Sequence, residues 1–327
     1  MRVASHRRAK RPPVIHALFS VGTNSTRLLV IDGDERIAAE SRGTRIGTGI
    51  GATGTLDPAA RERTLAAIDE YVEIARACNV AAADAVATSA LRRARDGAAF
   101  ASDVADRVGI APRVLTGAEE ATYSFLGATK SREGDAVIGV LDVGGGSVEL
   151  ASDVPRRARA QGAVARTISV EIGAVRLSER HPALLGARAL GEDERRALEE
   201  EARADAATVL APLASNRGIP ELVAVGGTVF TAAAMIAGGV RDGATMTRAD
   251  CRRLIDDLLA RDLEDRKALP HIRPQRADIL PAGLIVVDEA CRLLGVDAFT
   301  VSEADLLLGY LTSPAFRAAP FPPGAKR

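Results

Sequence analysis

Residues 20–28, SVGTNSTRL, and residues 142–150, DVGGGSVEL, repeat one design at a constant offset of 122. Val21, Gly22, Ser25 and Leu28 match Val143, Gly144, Ser147 and Leu150. Each copy is a small polar knot between apolar runs, which reads as a tight β-hairpin. The duplication divides the chain into two halves, each opening on such a hairpin. A third, related stretch, VAVGGTVFTAA (223–233), joins a strand to a helix through Gly226, Gly227 and Thr228. Glycines let backbone N–H groups converge and hydroxyls add short donors, so facing knots form a nest that favours an anion, phosphate above all. The candidate phosphate-binding residues are therefore Gly22, Thr23, Asn24 and Ser25, then Gly144, Gly145, Gly146 and Ser147, then Gly226, Gly227 and Thr228. The plainer reading is two hairpins whose glycines only satisfy turn dihedrals.

Around the knots, strands and helices alternate in the manner of an α/β protein. Val14–Val30 reads as two strands and Arg36–Ser41 as a third. Asp57 and Pro58 form an N-cap and first turn, and Leu65, Ile68, Val72 and Ala75 follow at helical spacing. DAVATSAL (84–91) reads as a strand and DGAAFASDVADRVG as a helix closed by Gly109. A short strand, PRVLTG, leads into a helix over about 118–130. The polar SREGD (131–135) is the candidate domain junction, which gives an N-terminal domain over 14–133 and a C-terminal domain over 134–302. A helix near 303–313 is expected to pack back on the first domain. The second half continues with the strand ARTISVEIGAV, a charged helix near 188–213 and the strand ELVAVGG. Residues 1–13 and the proline-rich 314–327 read as flexible tails.

A chain of 327 residues with 47% hydrophobic residues has ample material for two domains, and with 3% aromatics its cores must be built from Ala, Val and Leu. Basic and acidic residues number 43 each, so no net charge argues for nucleic acid or an anionic membrane. Cys78, Cys251 and Cys291 are scattered, as suits reduced thiols in the cytoplasm. The four histidines lack metal-ligand spacing, which argues against a structural zinc site. The basic MRVASHRRAKRPP is followed by no apolar signal-peptide core, and no stretch reaches membrane-spanning length.

Several motifs in order, VGTNSTRLLV, ATSALRRA, TGAEEATYSFLGA, LDVGGGSVEL, EIGAVRLSER and VAVGGTVFTAA, cover about residues 14 to 312. Together they resemble the exopolyphosphatase/guanosine pentaphosphate phosphatase family of the acetate kinase–sugar kinase–Hsp70–actin superfamily. The resemblance implies two ribonuclease H-like domains with an active-site cleft between them. It also implies hydrolysis of the terminal phosphoanhydride of polyphosphate or guanosine pentaphosphate, with Mg²⁺ as cofactor. From the residues alone, Glu119 and Glu120 are acids at a helix start, where the dipole keeps them ionised. The resemblance makes Glu120 the catalytic carboxylate, turns Arg92 toward the substrate phosphate, and assigns Asp142 and Glu149 to metal, with Glu149 also catalytic. Magnesium suits few carboxylates completed by water and phosphate oxygens.

Ser20 departs from the family, which carries an aspartate there, so half of the expected metal anchor is missing. Val148 and Phe230 replace hydroxyl residues. The same residues therefore support a second reading, a polyphosphate- or nucleotide-binding regulator with little turnover. Neither nucleic acid nor membrane is expected as a partner; a second copy of the chain is an admissible one.

Overall fold

A computed structural model of the chain describes residues 14–132, 137–152, 166–239 and 242–321. Its strands are β1 (Ile15–Val21), β2 (Thr26–Asp32), β3 (Glu35–Arg42), β4 (Ala82–Ala87), β5 (Arg113–Val114), β6 (Ile138–Val143), β7 (Val148–Ser152), β8 (Arg166–Val170), β9 (Glu221–Val225), β10 (Thr245–Thr247), β11 (Ala298–Val301) and β12 (Ala319–Pro320). Its helices are α1 (Ile50–Thr53), α2 (Pro58–Ala77), α3 (Ser89–Arg93), α4 (Gly97–Val108), α5 (Gly117–Thr129), α6 (Ala174–Arg180), α7 (Glu192–Leu210), α8 (Gly227–Ala237), α9 (Arg248–Leu259), α10 (Leu263–Lys267), α11 (Leu280–Leu294) and α12 (Leu306–Leu311).

The strands form two sheets. The first runs β12-β4-β1-β2-β3 with β5 beside β4, and the second runs β10-β11-β9-β6-β7-β8. In each, three strands form an antiparallel meander and the next returns parallel to the first, β4 beside β1 and β9 beside β6. This is the ribonuclease H-like plan twice over, and the expected fold class holds. β6 and β9 are apolar over nearly their whole length because helices cover both faces of the sheet.

Local chemistry sets the helices. The Asp57 side chain accepts from the Ala60 N–H at 2.8 Å, and Pro58 opens α2, which buries Ala67, Ile68, Tyr71, Val72 and Ala75. α5 opens on a reciprocal capping box between Thr116 and Glu119. α12 lies against α5 at backbone distance. A Cβ on Gly309 would sit 1.8 Å from the Tyr123 carbonyl oxygen, and one on Gly127 would sit 2.0 Å from that of Asp305. Only glycines permit that crossing. Leu306, Leu307, Tyr310 and Leu311 there join Leu18, Leu29 and Val86 of the first sheet in one core, and the Tyr310 hydroxyl donates to Asp84 at 2.8 Å.

The structure corrects three local readings. The strand expected over 84–91 ends at Ala87, because Thr88 is the N-cap of α3, its carbonyl accepting from the Arg92 N–H at 3.2 Å. The strand expected over 165–175 stops at Val170, and Ala174 opens α6. Within the expected tail, residues 314–321 pack on the first domain: Ala319 and Pro320 pair with the edge of β4, and Phe321 is buried with its ring 5.8 Å from that of Phe19. Burial of that ring offsets the cost of ordering the segment. The arm 1–13 and most of the expected junction fall outside the described residues. No helix among the described residues is long and apolar enough to cross a membrane.

Candidate active site

The two knots fold alike. Gly22 N–H donates to Ser25 O at 3.0 Å, and Gly144 N–H donates to Ser147 O at 3.0 Å, each closing the same four-residue turn. They also face each other. A Cβ on Gly145 would lie 3.0 Å from Asn24 Cβ, and one on Gly146 only 2.5 Å from Thr23 Oγ1. Side chains at 145 and 146 would wedge the turns apart. One cleft is lined by Ser20, Gly22, Thr23, Asn24 and Ser25, by Gly144, Gly145, Gly146 and Ser147, and by Gly226 and Gly227. Thr228 is elsewhere: it is buried below the cleft, where a Cβ on Gly283 of α11 would meet its hydroxyl at 2.5 Å. Its side chain packs two helices together and contributes no donor to the cleft.

Glu120, Asp142 and Glu149 line the same cleft. Asp142 and Glu149 are directly opposed across β6 and β7. Glu120 lies one turn along α5 from Ser124, whose hydroxyl donates to Asp142 Oδ2 at 2.5 Å. One helix thus presents one acid and fixes another. Burial pushes the Glu120 carboxyl up to about 7, with Arg92 opposing and the charges of Asp142 and Glu171 adding. Burial, then the charge of Asp305, pushes Asp142 up to about 6 against the Ser124 hydrogen bond. Glu149 rises well above the usual carboxylate range, through burial and then Glu120 and Asp142. Three acids that resist ionising together form a site that welcomes positive charge.

Glu119, beside Glu120, points away. It completes the capping box and pairs with Arg113, so the helix-start reading belongs to Glu119 alone. Arg92 does not line the cleft. Its guanidinium clasps Glu120, donates to Leu115 O at 2.6 Å and reaches Glu171 Oε1 at 3.3 Å. In this arrangement Arg92 orients the carboxylate that the sequence had placed beside it in function.

Several cleft residues carried no sequence signal. Arg27, directly across the strands from Ser20, binds Asp305 at 2.6 Å. Burial works against its charge, yet Asp305, and Asp142 behind it, hold Arg27 above the usual arginine value. Arg276 donates to Ser25 Oγ at 3.0 Å, and its guanidinium lies over Gly227. Desolvation, then the charges of Arg273, Arg27 and Arg45, presses Arg276 down to about 10. Crowded arginines of this kind seek an anion. Arg27 lies within SVGTNSTRL, where the pattern reads only as a continuing strand; Arg276 and Asp305 come from far along the chain.

The Ppx/GppA phosphatase family matches residues 31–315. The chain belongs to that family. Exopolyphosphatase 2 of Mycobacterium tuberculosis is 34% identical over 325 residues, covering 91% of this chain and 98% of its own. Exopolyphosphatase 1 of Mycobacterium bovis is 27% identical over 306 residues, covering 87% of this chain and 83% of its own. Among solved structures, an exopolyphosphatase-like protein superposes with a TM-score of 0.81 at 27% identity, covering 92% of this chain and 99% of that one. The PPX-GPPA enzyme of Aquifex aeolicus gives 0.71 at 25% identity, covering 92% and 99%. The resemblance seen in the motifs is thus borne out, and the chain is an enzyme of a phosphatase family.

Proposed function

We propose that this chain removes the terminal phosphate of inorganic polyphosphate, with guanosine pentaphosphate as the competing substrate. The observation that carries the reading is the convergence of two turns, closed by the same glycine-to-serine hydrogen bond, on one cleft that also holds Glu120, Asp142 and Glu149. The turn N–H groups and hydroxyls bind the terminal phosphate, and Arg27 and Arg276 offset its charge and that of the next unit. Glu120, close to its protonation midpoint near neutrality, orients a water and takes its proton as the water oxygen bonds to phosphorus. The bridging P–O bond breaks, orthophosphate departs, and the chain keeps one fewer unit. Arg92 holds Glu120 in place throughout.

Magnesium fits this donor set. Among the described residues no three His, Cys, Asp or Glu side chains could hold a metal ion by themselves. Half-buried Asp142 and buried Glu149 are nevertheless oxygen donors, raised in pKa by desolvation and the neighbouring acids, and Mg²⁺ prefers few carboxylates with water and phosphate completing its shell. When bound, the ion would neutralise charge on the phosphate oxygens. Ser20 favours the second reading, a polyphosphate- or nucleotide-binding regulator. Three cysteines, all unpaired, suit a cytoplasmic site of action.

The test is orthophosphate release from polyphosphate and from guanosine pentaphosphate, each with and without Mg²⁺. The reading expects Mg²⁺-dependent release, from polyphosphate in particular. Tight binding without release in any arm would leave the regulator.

A further inference from the structure

The repeat makes Ser20 the counterpart of Asp142 and Arg27 the counterpart of Glu149. Both pairs are cross-strand neighbours, Ser20 opposite Arg27 and Asp142 opposite Glu149. An aspartate at 20 would thus have had Arg27 at its side. The partner that Arg27 takes instead is Asp305, brought in at the N-terminus of α12 by the glycine crossing with α5. Asp305 is nine-tenths buried and lines the cleft with Ser20, Asp142 and Gly226. The first hairpin has therefore not lost its carboxylate from the cleft; the acid arrives from another element.

We infer that Asp305 is a further anionic ligand for the divalent cation, opposite Asp142, in the place that Ser20 leaves without a charge. This rests on the metal-assisted reading above. Asp305 is held firmly, with Oδ2 accepting from Arg27 at 2.6 Å and Oδ1 from the Leu307 N–H at 3.1 Å. A carboxylate has about four lone-pair sites, so acceptor capacity remains for a cation or its bound water. A second observation in the same cleft also points to a ligand. Asn24 is 5% exposed, and its side-chain oxygen has no hydrogen-bond partner. A buried amide oxygen without a donor suits a hard cation or its water. Asp142, Asp305, an amide oxygen and the incoming phosphate give an all-oxygen set from four separate sources, with Glu149, paired across the strands with Asp142, reaching the ion through water. Arg27 fixes the orientation of Asp305 rather than replacing the ion.

The experiment is calorimetric Mg²⁺ binding to the full chain without substrate, for the parent, Asp305→Asn, Ser20→Asp and the double variant. Asparagine keeps the N-cap of α12, so the fold should survive, which a thermal melt verifies. The inference expects Asp305→Asn to weaken Mg²⁺ about tenfold, since ligand charge is a main lever on this ion. Ser20→Asp should gain little in the parent but recover most of the loss in the Asp305→Asn background, a non-additive cycle. Unchanged Mg²⁺ affinity in Asp305→Asn, or strictly additive effects, overturns the inference while leaving the phosphatase reading intact. A parent that binds no Mg²⁺ overturns both the inference and the metal-assisted reading.

Discussion

The two hairpins share a backbone and oppose each other in charge. Each closes its turn with a glycine N–H on a serine carbonyl at 3.0 Å, so each offers the same backbone arrangement and a serine hydroxyl to an anion. Their flanking positions differ: Ser20 and Arg27 on the first, Asp142 and Glu149 on the second. The first side of the cleft is thus the cationic one, extended by Arg276 at Ser25. The second side is acidic, with Glu120 beside it. The lesson is that the duplicated fold supplies the cradle, while the reacting groups are set by side chains free to diverge between copies.

The comparison assigns the chemistry to the acidic side, and its loss there should be the largest effect. Glu120→Gln should lower turnover of polyphosphate by about a hundredfold or more with substrate binding largely retained, as measured by steady-state kinetics and calorimetry. A variant as active as the parent would move the chemistry elsewhere. The next effect concerns the contact between the hairpins. Gly146→Ala places a methyl 2.5 Å from Thr23 Oγ1, so it should spread the two turns and raise KM about tenfold, with a loss of stability of about 2 kcal/mol. An unchanged KM would mean that the turns need not converge on one phosphate.

The smallest effect separates the sides by pH. The folded pKa of Glu149 lies above its unfolded value, because its carboxylate is buried among other acids. Its contribution to stability is therefore complete below pH 4.5 and is lost as pH rises through the raised value. Glu149→Gln escapes that loss. The melting temperature of the variant relative to the parent, in metal-free buffer, should thus increase between pH 5 and 8 by about 3 °C. Added Mg²⁺ should shrink the difference. A pH-independent gap would show that Glu149 ionises without penalty.

What the sequence showed plainly was local. The knots, the cap at Asp57, the acidic helix start at Glu119 and the alternation of strand and helix are encoded within a few residues of where they act. Glu119 and Glu120 mark the boundary of that legibility: adjacent in sequence, one caps a helix and the other turns into the cleft, a choice made by packing. The unread part of the site is long-range. Asp305 reaches Arg27 across 278 residues and Arg276 reaches Ser25 across 251, with no shared motif to announce either meeting. The hairpin carries Ser20 where an aspartate is expected, and the carboxylate lining the cleft beside it is Asp305, at the start of α12. Phe321 likewise shows how one buried ring can order a tail whose composition reads as irregular.

The most direct test of the central claim, that the facing turns and acidic wall form one phosphate-releasing site, is a time course on polyphosphate of defined length. The parent chain is incubated with Mg²⁺, and orthophosphate and residual chain length are followed together. Hydrolysis at the terminal unit predicts orthophosphate from the first turnovers while the polymer shortens one unit at a time. Polyphosphate that stays bound and intact, or that breaks into internal fragments without early orthophosphate, would contradict it.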